Sequence, residues 1–122
     1  MRRVVAALTV VLTAALILTA CGKGSSSAGS GGYPVKKIAI TFHGSDVSPN
    51  GTDVDVAVGQ PIELDVTADK PGEIHVHSSP QEQEFEYPAG SSTFQVKPVP
   101  APGRVTVESH TLDKTLFILV AR

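Results

Sequence analysis

From Tyr33 onward the chain alternates apolar and polar residues with a period of two. Ile38, Ile40 and Phe42 alternate with Ala39, Thr41 and His43, and Val54, Val56 and Val58 with Asp55 and Ala57. Ile62, Leu64 and Val66 alternate with Glu63, Asp65 and Thr67, and Ile74 and Val76 with His75 and His77. Successive side chains of a strand point to opposite faces, so each run predicts a strand with one buried and one solvated face. Proline, glycine and asparagine at residues 48–51, 59–61, 69–72, 88–90 and 98–103 supply the dihedrals of turns between them. Further strands are expected over 85–87, 93–96, 104–109 and 115–121. Seven to eight short strands at this spacing predict an all-β, Greek-key β-sandwich. The run 116–120 is apolar on both faces and is expected to lie centrally, covered from each side.

The first thirty residues follow another pattern. Arg2 and Arg3 precede an almost uninterrupted apolar run over 4–18, which ends in Leu18-Thr19-Ala20-Cys21. A basic start, an apolar stretch too short to span a bilayer comfortably and small residues at a cut site predict a signal peptide over 1–20. The tetrapeptide resembles the bacterial lipobox. That resemblance implies cleavage before Cys21 and lipidation of its thiol with diacylglycerol, the acyl chains (palmitate among them) anchoring the protein in the membrane. Cys21 is the only cysteine, so no disulfide can form within the chain. Residues 21–32 are rich in Gly and Ser and read as a flexible tether, leaving 33–122 as one domain. The expected location is the extracytoplasmic side of the cell membrane.

Charge and motifs narrow the chemistry. The net charge of −2 offers no basic face for nucleic acid. No Gly-x-Ser-x-Gly elbow is present, the Gly-rich stretch opens no strand–helix unit that could cradle phosphate, and the carboxylates are scattered along alternating strands. A non-enzyme is expected.

Residues 58–69 (Val-Gly-Gln-Pro-Ile-Glu-Leu-Asp-Val-Thr-Ala-Asp), then Glu73-Ile74-His75-Val76-His77, Gly90, and 102–108 (Pro-Gly-Arg-Val-Thr-Val-Glu) resemble the cupredoxin-like domain of bacterial lipoproteins. The resemblance covers most of the domain and implies the sandwich fold. A blue copper centre needs two histidines, a cysteine thiolate and a weak axial methionine. Here the only cysteine is Cys21 and the only methionine is Met1. The resemblance therefore implies the scaffold without the electron-transfer centre.

Four histidines are left to weigh. His75 and His77 project from the same face of one strand, with Cα atoms about 6–7 Å apart, close enough for two imidazoles to converge on an ion. Copper or zinc would need further donors, for which His110, His43, Glu82, Glu84 and Glu86 are the candidates. The same alternation also makes the pair simply solvated, and this is the preferred reading. His43 and His110 read as surface residues, and 81–86 as an exposed acidic segment. The first expectation is thus a non-catalytic interaction or structural module facing a cell-envelope protein partner. The second is a Cu(II) or Zn(II) module using His75 and His77 with help from His110.

Overall fold

The computed structural model describes residues 32–122. The signal peptide, Cys21 and all of the tether but Gly32 lie outside the described residues. Among the described residues nine strands form in chain order: β1 (Lys36–His43), β2 (Asp46–Ser48), β3 (Thr52–Val56), β4 (Ile62–Ala68), β5 (Gly72–Val76), β6 (Gln83–Tyr87), β7 (Gly90–Val96), β8 (Gly103–Ser109) and β9 (Lys114–Ala121). They make two mixed sheets, ordered β2-β1-β4-β7 and β3-β9-β8-β5-β6. β1 pairs with β4, and β3 with β9, in parallel; all other pairs are antiparallel. The expected all-β sandwich is present.

The alternating residues meet between the sheets. Ile38, Ile40 and Phe42 of β1 and Ile62, Leu64 and Val66 of β4 are buried, as are Ile74 and Val76 of β5, Val105 and Val107 of β8, and Phe117 and Leu119 of β9. Each such side chain contributes about 1.5–3 kcal/mol on leaving water, which makes this face-to-face packing the main stabilising term.

Two expectations are corrected. The strand count exceeds seven to eight because β2, a three-residue partner of β1 across the turn at Gly44 (φ 62°), holds a single apolar residue, Val47, too little to show periodicity. β9 is interior to its sheet but is not covered from both sides: Phe117, Leu119 and Ala121 face the core, while Ile118 and Val120 are half-exposed on the outer face. The continuous apolar look of 116–117 comes from a bulge. Val107 pairs with Phe117 but Glu108 pairs with Thr115, so Leu116 is an extra residue and both it and Phe117 turn inward.

Candidate metal centre

β5 lies between β6 and β8, and its outward face is where the histidines gather. Ile74 and Val76 point inward, so His75 points out, in register with Glu84 of β6 on one side and Glu108 of β8 on the other. His77 follows on the same face, its backbone N–H donating to Thr106 O at 2.9 Å. His110 comes from the turn joining β8 to β9. Leu112 N donates to Ser109 Oγ at 3.3 Å and Asp113 N to His110 O at 3.3 Å, with Asp113 at a φ of 53°, which holds the turn back over β5.

The three rings cover one another. His77 lies 4.3 Å from His75 between centroids at a 34° tilt, and His110 meets His75 edge-on at 4.7 Å. His75 is consequently only 6% exposed. This corrects the expectation that His75 is solvated: the alternation predicted the direction of the side chain correctly, but its outer face is roofed by groups from other elements. His77 is partly exposed and His110, at 51%, largely so. One ligand nitrogen from each of His75, His77 and His110 lies within 4.8 Å of the others.

Carboxylates surround the rings. His75 Nδ1 is 3.1 Å from His110 Nε2, and His110 Nδ1 is 3.6 Å from Glu73 Oε1. His77 Nε2 is 3.0 Å from Glu108 Oε2, and the other Glu108 oxygen, Oε1, accepts from Thr115 Oγ1 at 3.3 Å. Glu82 reaches both strand histidines, with Oε2 3.2 Å from His75 Nε2 and Oε1 3.4 Å from His77 Nδ1. Glu84 Oε1 is 3.8 Å from His75 Nε2. Despite these neighbours, His75 Nε2 is buried and makes no aligned hydrogen bond. Burial by itself would lower the His77 pKa, but hydrogen bonds donated by its ring to Glu108 and Glu82, reinforced by their charges, raise it above the ordinary imidazole value.

The segment carrying Glu82 is tied down. Ser78 Oγ donates to Gln81 O at 2.5 Å and accepts from Gln83 Nε2 at 3.2 Å, while Lys97 donates from Nζ to Gln81 Oε1 at 3.0 Å and from its backbone N to Gln83 Oε1 at 2.8 Å. His43 is elsewhere, 88% exposed at the end of β1 and 3.8 Å from Asp69. Glu86, opposite Glu73 in the β5–β6 register, is not in the histidine group. Sequence reasoning missed Glu73 and Glu108. Their outward phase was readable, but not the strand pairing that sets them beside the histidines.

No protein-family model and no curated protein sequence matches the chain. Solved structures do match in fold. Auracyanin from the photosynthetic bacterium Roseiflexus castenholzii aligns with a TM-score of 0.54 and 11% identity over 71% of this chain and 97% of that one. A purple cupredoxin from Nitrosopumilus maritimus gives 0.51 and 15% over 71% and 99%. A multi-copper oxidase from Pediococcus acidilactici gives 0.55 and 14% over 80% of this chain and 28% of the oxidase. A blue copper set does not fit the described residues, which include neither cysteine nor methionine; the donors gathered there are the histidine nitrogens and the neighbouring carboxylate oxygens. A nitrogen–oxygen metal site does fit, because His75 Nε2 is buried and unbonded. Strand order, core and structural neighbours together establish the domain as a cupredoxin-like β-sandwich.

Proposed function

We propose that this protein is a lipid-anchored, extracytoplasmic metal-binding module, without catalytic activity, that holds Cu(II) or Zn(II) at the group centred on His75, His77 and His110. The observation that carries this reading is His75 Nε2, a ring nitrogen buried without a hydrogen bond among two further imidazoles and an arc of carboxylates. Leaving such an atom unpaired costs about 1–3 kcal/mol, a cost that a coordinated cation removes. The preference for a purely structural module depended on His75 being solvated, and its burial withdraws that support. The nitrogen and oxygen donor set suits Cu(II) and Zn(II) equally. The anchor at Cys21 rests on the lipobox resemblance and would set the site within reach of other envelope proteins.

The test is calorimetric titration of Zn(II) and Cu(II) into the full chain in detergent, beside a His77→Ala/His110→Ala variant whose altered positions are partly or largely exposed. Saturable binding lost in the variant is expected. Affinity should fall as the pH drops through the raised His77 pKa, since a protonated imidazole cannot ligate. No binding at micromolar concentrations would refute the proposal.

A further inference from the structure

We infer that the coordinating set is His75 Nε2, His77 Nδ1 and a carboxylate oxygen of Glu82, with His110 outside the coordination sphere, and that the site therefore takes a divalent cation in preference to Cu(I). This rests on the metal-binding reading above. A ligating histidine usually donates its other ring N–H to a fixed acceptor, which selects the tautomer and aims the free lone pair. His75 has such an acceptor on one nitrogen only, while His77 holds Glu108 closely at Nε2 and Glu82 more loosely, at 3.4 Å, at Nδ1. His75 Nδ1 lies 3.1 Å from His110 Nε2, and because His110 turns its Nδ1 to the Glu73 carboxylate at 3.6 Å, the matching tautomers have His75 Nδ1–H donating to His110 Nε2. His77 Nε2–H donates to Glu108 Oε2 at 3.0 Å, and Glu108 is held by Thr115.

The two other nitrogens, the unbonded His75 Nε2 and the loosely bonded His77 Nδ1, both lie beside Glu82. They lie 3.2 and 3.4 Å from its two oxygens. Donors bound at about 2.0–2.1 Å in a tetrahedral sphere sit roughly 3.3 Å from one another, so each nitrogen stands from its nearer Glu82 oxygen at about the separation of two ligands on one ion. Glu84, 3.8 Å from His75 Nε2, or a water is available for the fourth position. His75 is more than nine-tenths buried and its Nε2 is an unpartnered atom 3.2 Å from this carboxylate. An anionic oxygen beside two imidazoles favours Zn(II) or Cu(II), whereas Cu(I) favours soft sulfur donors.

The experiment loads the full chain in detergent with Cu(II) and counts bound imidazoles by pulsed electron paramagnetic resonance, and compares Zn(II) and Cu(I) affinities by chelator competition, for wild type, Glu82→Gln and His110→Ala. Two imidazoles are expected in wild type and in His110→Ala alike. Glu82→Gln should weaken Zn(II) by roughly tenfold or more, the scale of losing one charged ligand, and leave Cu(I) within about threefold. Three imidazoles in wild type falling to two in His110→Ala would overturn the assignment while leaving the metal-binding reading intact, and so would unchanged Zn(II) affinity in Glu82→Gln. A wild-type chain that binds no metal overturns both. Both altered side chains are mostly exposed, and circular dichroism verifies that each variant is folded.

Discussion

At the scale of single residues, His75 stands out as a group that the fold would be more stable without. Its Nε2 is buried and unpaired while its ring fills space between His77 and His110. Replacing it with Leu removes the unpaired atom and keeps most of the packing, so His75→Leu is expected to stabilise the metal-free protein by about 1 kcal/mol and abolish metal binding. A lower denaturation midpoint for this variant would show that the nitrogen is satisfied in solution. His77 has the opposite dependence on its surroundings. Because its folded pKa is raised by Glu108 and Glu82, the charged ring contributes stability to the metal-free protein that is complete below about pH 6.5 and lost as pH rises through the raised value. Glu108→Gln should lower the His77 titration midpoint followed by NMR and shrink that pH-dependent part of the stability. An unmoved midpoint would remove Glu108 as its partner.

Among the elements, β5 is placed by what meets its first residue. A Cβ on Gly72 would fall on the Tyr87 hydroxyl and lie 2.7 Å from Tyr87 Cζ, and Tyr87 is in turn fixed by stacking on Phe42 at 4.8 Å between centroids. The Tyr87 hydroxyl is buried, which raises its pKa against the opposing hydrogen bond to Ser109. Gly72→Ala is therefore expected to cost about 1–3 kcal/mol, measurable as a loss of thermal stability. The pair Arg104–Asp53, bonded through two nitrogens at 3.1 and 2.7 Å but exposed on both sides, should matter far less. Arg104→Gln is expected to change stability by no more than about 1 kcal/mol in chemical denaturation. Good geometry at a solvated surface does not substitute for burial.

For the whole molecule, cation binding to the folded state alone adds stability by mass action. Free Zn(II) at a hundred times its dissociation constant should add about 2.7 kcal/mol, an upward shift of roughly 10–20 °C in the unfolding midpoint, reversed by EDTA. A midpoint indifferent to metal and chelator would contradict a folded-state site. The architecture behind that site was largely legible beforehand. Alternation at Ile38–Ile40–Phe42, Ile62–Leu64–Val66 and Ile74–Val76 determined which residues face the core, because a strand's two-residue period is a local property of the backbone. It also determined that His75 and His77 share a face, and that no cysteine or methionine thereafter could complete a blue copper centre. For residues 1–31 the sequence is the whole basis of the lipoprotein reading. The tertiary structure alone decided that β5 runs between β6 and β8, that the β8–β9 turn folds His110 back to 3.1 Å from His75, and that the segment before β6 lays Glu82 across both strand histidines. These contacts join residues far apart in the chain through strand pairing and turn geometry, so local periodicity determines where a side chain points while long-range pairing decides what it meets and whether water can reach it.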